Sequence, residues 1–335
     1  MRIRITIAAF FMLLAGGNAA AAFNSLIVFG DSLSDAGDNP SAVMSVYKSL
    51  FDNCSPFHPC PPYEGGRLSN GPVASEHLAS SLFPGGVTTT NFRCSAVGGA
   101  TSGTENTGND LSLGVLNLPG MKQQMDRYMS DSGGSADPAA LYLVWGGGND
   151  YRTSSSPVQA AQNIGGYVSS LALAGARNFL VPNLGDLGHT PFARMEGEES
   201  QARDYTLVFN AELATQLGNV ESSFPSAKIF EFDTYSFLNN IIQNPGTFGF
   251  TDLTDPCISL PLDFSCGNPD AHLYWDDLHP TTRAHEILGE ALASAVPEPQ
   301  ITAMLLIGLF ILGLAANTRR QREGTCAAET MWERR

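Results

Sequence analysis

Leu26-Ile27-Val28-Phe29-Gly30-Asp31-Ser32-Leu33-Ser34-Asp35 is the stretch on which the reading of this chain turns. The apolar run Leu26 to Phe29 is short and continuous, the pattern of a strand buried on both faces. It stops at Gly30, and a polar turn follows. Ser32 therefore sits where the carboxyl end of a strand passes into a loop, the place where open α/β sheets hold their ligands. Taken alone, Asp31 and Ser32 are good helix caps, and capping serines outnumber catalytic ones. The balance changes with Asp276-Asp277-Leu278-His279-Pro280 near the far end of the chain.

Working outward, the same pattern of apolar run and small polar turn recurs. Thr88 to Val97 runs into Gly98-Gly99, Ala140 to Trp145 into Gly146-Gly147-Gly148-Asn149-Asp150, and Phe179 to Val181 into Pro182-Asn183-Leu184-Gly185-Asp186. Lys228 to Phe232 supplies a fifth strand. Helical patterns lie between them: Ser41 to Phe51, Val73 to Leu82, a helix opened by Pro119, Pro157 to Ala174 closed by Gly175, Glu196 to Phe224, and Thr281 to Ala295. The stretches 52–66, 102–118 and 239–270 read as loops. Alternating strands and helices predict a five-stranded parallel sheet covered on both faces, an α/β fold in three layers.

The two ends are set apart from this domain. Met1-Arg2-Ile3-Arg4, the apolar run Ile5 to Leu14 and Ala20-Ala21-Ala22 form a secretory signal peptide over residues 1–22. Residues 23–295 are then one domain of ordinary size for an α/β fold. In residues 296–322, Val296-Pro297-Glu298-Pro299 precedes the apolar stretch 301–316, and Arg319-Arg320-Gln321-Arg322 follows. Sixteen residues fall short of the roughly 20 that span a bilayer comfortably, and arginines on one flank favour keeping that flank cytoplasmic. Pro-Glu-Pro, apolar helix and basic end together resemble the PEP-CTERM sorting signal of Gram-negative bacteria. The resemblance implies an exosortase-type partner and a secreted or cell-surface protein, anchored in the membrane before processing. An ordinary C-terminal anchor is the competing reading. Residues 323–335 form a polar tail.

The net charge is −15, and the terminal segments hold several of the arginines, so the domain itself is more acidic still. Such a surface repels nucleic acid and anionic membrane. Five cysteines lie in the domain, and their close spacings pair Cys54 with Cys60 and Cys257 with Cys266, leaving Cys94 over; other pairings remain open. Neither Cys-x-x-Cys nor a nearby histidine argues for zinc. Asp31, Asp35 and Asp38 lack the glycine and terminal glutamate of a calcium loop and read as turn and capping residues. No metal and no cofactor are expected.

A nucleophilic serine needs a base, and the base needs a group that fixes its tautomer. Asp276 and His279 are three residues apart, close enough for the carboxylate to reach Nδ1 and leave Nε2 for Ser32. Acyl transfer also needs donors aimed at an oxyanion. The backbone N–H groups of Ser32 and Gly99, with the side-chain amide of Asn149, can provide them; Gly98 is an alternative to Gly99.

In these blocks the chain resembles the GDSL, or SGNH, hydrolase family over residues 25–295. Gly30-Asp31-Ser32-Leu33-Ser34 matches the first block, and Asn91 with Ala96-Val97-Gly98-Gly99-Ala100-Thr101 the second. Gly147-Gly148-Asn149-Asp150 matches the third, and Asp276-Asp277-Leu278-His279-Pro280-Thr281 the last. Gly66-Arg67-Leu68-Ser69-Asn70-Gly71 and Pro182 to Asp186 look like segments of its secreted lipase-like branch. The resemblance implies a flavodoxin-like α/β/α sandwich and metal-independent ester hydrolysis with Ser32 as nucleophile. Substrates are then lipids, short-chain esters or acetylated glycans. Deacetylation of an extracellular polysaccharide is one alternative, and a non-catalytic surface-binding module another.

Overall fold

The computed structural model describes residues 23–37, 58–111, 117–259 and 265–296. Its centre is a five-stranded sheet of β1 (Leu26–Gly30), β2 (Phe92–Cys94), β3 (Leu141–Trp145), β4 (Asn178–Pro182) and β5 (Lys228–Phe232). The spatial order is β2-β1-β3-β4-β5, and every pairing is parallel. This is the flavodoxin-like strand order, whose switch point lies between β1 and β3. The carboxyl ends of those two strands meet there, with Gly30 opposite Trp145.

The unbroken apolar runs are explained by two cores. Ile27, Phe29, Tyr142, Val144, Phe179 and Val181 face one side, in a cluster with Met121, Met125, Ile164, Leu171, Phe209 and Leu213. Leu26, Val28, Leu141, Leu143 and Leu180 face the other, packed with Leu78, Leu288 and Leu292. Successive side chains of a strand point to opposite faces, so a central strand with no water on either side must be apolar at every position. β5, at the edge, is the strand that keeps charge in its exposed positions, Lys228 and Glu231. Charges of this kind discourage further strand addition.

The covering helices are α1 (Ala74–Leu82), α2 (Thr107–Leu111), α3 (Met121–Asp131), α4 (Gly148–Arg152), α5 (Pro157–Ala174), α6 (Pro191–Glu196), α7 (Glu199–Ser223), α8 (Thr234–Gln243), α9 (Pro245–Phe248) and α10 (Thr282–Ala295). Gly175 ends α5 with φ of 118°, as the sequence predicts, and Ser156 caps its start through the N–H of Gln159.

Three features differ from the sequence reading. The helix expected over 196–224 is present as α7, but the short α6 before it is not among the expected helices; it ends at Gly197, whose φ of 70° lies in the left-handed region. The stretch 239–270 is not all loop, because α8 runs on to Gln243 and α9 follows. Asp233 caps α8 through the N–H of Ser236 at 3.1 Å, and Phe237, Leu238 and Ile241 form its inward stripe. The expected loop 102–118 likewise contains α2.

Cys257 and Cys266 form a disulfide, as their spacing predicts. Cys60 is also disulfide-bonded, while Cys54, the partner expected for it, lies outside the described residues. Cys94 is a buried thiol whose Sγ donates to the Ser34 carbonyl at 3.1 Å. The helix expected over Ser41 to Phe51, the leader 1–22 and the segment from 297 onward, including the apolar stretch 301–316, also lie outside the described residues. Among the described residues no helix is long and apolar enough to cross a membrane.

Candidate active site

The end of β1 is fixed from both sides. The Gln124 side chain on α3 accepts the Gly30 N–H at 3.0 Å and donates to the Gly30 carbonyl at 2.8 Å. A Cβ on Gly30 would lie 2.4 Å from the Trp145 carbonyl oxygen, so only glycine permits the approach of β1 to β3 there. The chain then turns tightly: Ser34 N–H donates to Asp31 O at 3.1 Å, and Leu33 N–H to Asp31 Oδ1 at 3.1 Å. Ser32 stands in this turn, nearly buried, in the wall of a pocket of about 560 Å³ including its open mouth.

His279 reaches the same pocket from the loop before α10. Its Nδ1 lies 2.9 and 2.8 Å from the two Asp276 carboxylate oxygens. Asp276 Oδ1 also accepts the backbone N–H groups of Leu278 at 2.8 Å and His279 at 2.7 Å. Tyr63 OH donates to Oδ2 at 2.7 Å. The carboxylate is thus held by four donor groups, and the imidazole Nε2 is the ring nitrogen left for the pocket. Ser32 and His279 share the pocket without a hydrogen bond between them in this structure; contacts of this kind commonly tighten only when substrate binds.

The His279 loop is anchored by the segment around Arg67. Ser69 Oγ donates to Pro280 O at 2.9 Å, and Thr282 N–H to Asn70 Oδ1 at 2.8 Å. Trp275 N–H donates to His279 O at 2.7 Å, and Thr281 caps α10 through the N–H of Ala284. Arg67 in turn forms a two-pronged pair with Glu76 on α1, at 2.7 and 2.9 Å.

The third wall comes from the loops after β2 and β3. Gly98 N–H donates to Asp35 Oδ2 at 2.8 Å, and Ala100 N–H to Val97 O at 3.1 Å. The Gly99 N–H between them has no acceptor among the described residues, so donor availability favours Gly99 over Gly98. Gly99 has φ of 79°, and a Cβ there would lie 2.6 Å from Asn106 Oδ1. Asn106 is the clamp on this peptide, donating to Gly98 O at 3.0 Å and Pro119 O at 3.1 Å. Asn149 lines the pocket and donates one amide hydrogen to Ala100 O at 3.0 Å, which leaves the other uncommitted. Asp150 beside it accepts both the N–H and the hydroxyl of Ser102, each at 2.7 Å, tying the two loops together. Gly99 is not one of the pocket's wall residues.

Burial alone would raise the Asp276 pKa, but the charge of His279 and the donors around the carboxylate outweigh it and hold it well below the usual carboxylate range. For His279, burial disfavours the charged ring, and the adjoining Asp276 carboxylate overcomes it, so its pKa is raised. His58 stands 6.2 Å from the His279 ring, centroid to centroid, edge-on to Tyr63. Burial first, then the His279 charge, pushes His58 down to about 4, so it is a neutral neighbour. Asp31, in the pocket wall next to Ser32, is pushed up to about 7 by burial. Among the described residues no group of three or more His, Cys, Asp or Glu side chains is arranged to hold a metal ion.

A family model described as GDSL-like Lipase/Acylhydrolase matches residues 26–292. The chain belongs to this family. It is a GDSL esterase/lipase, a carboxylic ester hydrolase. A GDSL esterase/lipase of Arabidopsis thaliana is 25% identical, over 83% of this chain and 91% of that one. A phosphatidylcholine-sterol acyltransferase of Aeromonas hydrophila is 26% identical, over 82% of this chain and 90% of that one. Among solved structures, Est24, a carbohydrate acetylesterase from Sinorhizobium meliloti, is 18% identical with a TM-score of 0.41, over 81% of this chain and 97% of that one.

For this GDSL enzyme, the structure brings Ser32, Asn149 and His279 to one pocket and places Asp276 against His279. Asp31 and Asp35 are turn residues, as expected, with Asp35 Oδ1 accepting Gly37 N–H at 3.0 Å; Asp38 lies outside the described residues. Sequence reasoning missed Tyr63, Gln124, Asn106 and the role of Asp35. Tyr63 lies in the stretch 52–66 that reads as a loop, and nothing local in it points to residue 276.

Proposed function

We propose that this GDSL esterase/lipase is an exported enzyme that cleaves carboxylic esters through Ser32, His279 and Asp276. The observation that carries the reading is the pocket shared by Ser32, Asn149 and His279, with the imidazole held by a fully hydrogen-bonded Asp276. Ser32 Oγ attacks the ester carbonyl carbon while His279 Nε2 takes its proton. The carbonyl oxygen becomes an oxyanion, received by the N–H groups of Ser32 and Gly99 and the amide of Asn149. Collapse expels the alcohol, which takes the proton from His279, and leaves an acyl-serine. Water, deprotonated by His279, attacks that ester; the carboxylic acid departs and the serine recovers its proton.

The leader 1–22, the catalytic domain 23–295 and the PEP-CTERM-like segment 296–322 support placement outside the cytoplasm of a Gram-negative bacterium, with exosortase-type processing. Retention of the apolar stretch 301–316 as an anchor is the outcome that fractionation and mass measurement of the mature C-terminus would separate from cleavage.

Labelling of the purified protein by a fluorophosphonate probe tests the chemistry. The wild type is expected to label stoichiometrically, and Ser32→Ala to lose the label while keeping its thermal transition. A folded wild type that does not label, and hydrolyses no ester in a panel from acetate to palmitate, would overturn the assignment of Ser32.

A further inference from the structure

A second cavity, of about 850 Å³ including its opening, adjoins the Ser32 pocket. The two share the wall residues Asp31, Leu33, Gly148, Leu187, Thr190 and Leu278. From that shared wall the chamber extends among α8, α10, the loop after β4 and Trp145. Phe237, Leu238 and Ile241 from α8 and Ala284 and Leu288 from α10 make its sides. Its walls are mostly aliphatic and it shares one side with the Ser32 pocket, which is the form of a ligand site.

We propose that this chamber receives the acyl chain of the substrate, an unbranched hydrocarbon of medium to long length. The proposal rests on the assignment of Ser32 as nucleophile and adds to it which side of the ester lies where. Leu33 follows Ser32 directly and belongs to both cavities, so an acyl group on Ser32 finds aliphatic wall at its first methylenes. The chamber has little to offer a sugar. The Asp186 carboxylate is engaged by Gly188 N–H at 2.9 Å and Arg203 Nε at 2.7 Å. The Thr190 hydroxyl donates to Leu187 O at 2.7 Å. Trp145 Nε1 and Thr234 Oγ1 are buried side-chain atoms of this wall without a partner among the described residues, and with Asp31 and Tyr274 they complete a short polar inventory against a wall in which leucine predominates. Each hydroxyl buried unpaired opposes binding, whereas each methylene favours it. An acetyl group would leave the chamber empty.

The test is the chain-length profile of the full-length enzyme on p-nitrophenyl esters from acetate to palmitate, each below its micellar concentration. A methylene entering an apolar site is worth up to about fourfold in kcat/KM. The expected rise from acetate to octanoate is therefore at least about 100-fold, well inside that ceiling. Leu288→Trp and Leu238→Trp fill the chamber from its two helical sides. Each is expected to lower kcat/KM for dodecanoate at least about tenfold, the equivalent of two excluded methylenes, and to leave acetate within about twofold. A flat or falling profile in a wild type whose Ser32 labels with fluorophosphonate would overturn the chamber while leaving the nucleophile in place. So would folded variants that keep the dodecanoate preference. Absence of Ser32 labelling instead removes the underlying assignment. Should either variant fail to fold, the wild-type profile and the other variant decide.

Discussion

Tyr63 donates a 2.7 Å hydrogen bond to Asp276 across 213 residues of sequence, and both residues are buried. The contact joins the Cys-rich segment around Cys60 to the loop that carries His279. Tyr63→Phe removes the donor and leaves Oδ2 of a buried carboxylate with His279 Nδ1 as its one partner among the described residues. Hydrogen bonds to charged groups are worth about 1.5–3 kcal/mol. Urea denaturation is expected to show a loss of about 2 kcal/mol. The kcat should fall modestly, since Asp276 keeps His279 Nδ1 and two backbone N–H groups. An unchanged urea midpoint would mean that the hydroxyl contributes nothing net.

The pH profile follows from the two shifts at the dyad. His279 is raised by Asp276, and the proposed reaction uses the neutral ring as base. Activity should therefore fall on the acid side with a midpoint above the ordinary histidine value of about 6.5. Asp276→Asn removes the charge that raises it, so the midpoint should move to lower pH, and the plateau should drop by about 10⁴-fold as the wrong tautomer is favoured. The linked stability has opposite signs for the two partners. Asp276, depressed in the fold, contributes stability above its unfolded pKa and loses it as pH falls through the folded one. His279, raised, contributes below its unfolded pKa and loses it as pH rises through the folded one. Steady-state kinetics across pH 5–9 and thermal melts carried from pH 9 down to pH 2 would check both, and an acid limb that Asp276→Asn leaves in place would contradict the coupling.

The Cys257–Cys266 disulfide closes a short loop and packs in one cluster with Tyr63, Ile258 and Trp275. Loops of this length give roughly 2–3 kcal/mol through restriction of the unfolded chain. The double variant Cys257→Ala, Cys266→Ala should lower stability by about that amount. Because the cluster backs Tyr63, the loss should be less than additive with Tyr63→Phe in a double-mutant cycle. Additive losses would mean that the disulfide acts on the unfolded state alone.

What the sequence reveals follows range. β1 and β3 are legible because a strand buried on both faces leaves an uninterrupted apolar run, and Asp276 with His279 because both partners lie within one turn of chain. Gln124 on Gly30 acts across 94 residues, and Asn106 works through backbone carbonyls that any residue possesses. Neither leaves a local pattern. The hidden start of α8 has a different cause: Asp233 caps a helix directly after β5, with no Gly or Pro between them to mark the boundary. The chamber is hidden for the same reason as Gln124, since its walls are ordinary residues, leucines above all, from separate elements.

Asp35 gives the most direct test of the proposed oxyanion role of the loop after β2. Its carboxylate accepts Gly98 N–H at 2.8 Å and Gly37 N–H at 3.0 Å, so the loop after β2 is tied to the turn that carries Ser32. Ala100, one residue past Gly99, is held by Asn149 at 3.0 Å, and Gly98 O by Asn106 at 3.0 Å. The Gly99 N–H is aimed by its neighbours. Asp35→Ala frees the Gly98 peptide to rotate and should misdirect that donor without touching substrate. Loss of one oxyanion donor outright costs about 10²–10³ in kcat. Misdirection should cost less, about 10–100-fold, with KM changed little because the ground-state ester places no oxyanion there. Asp35→Asn keeps an acceptor oxygen and should recover much of the lost kcat. A KM effect as large as the kcat effect, or an asparagine variant no better than alanine, would place Asp35 in folding rather than in the aim of the Gly99 donor.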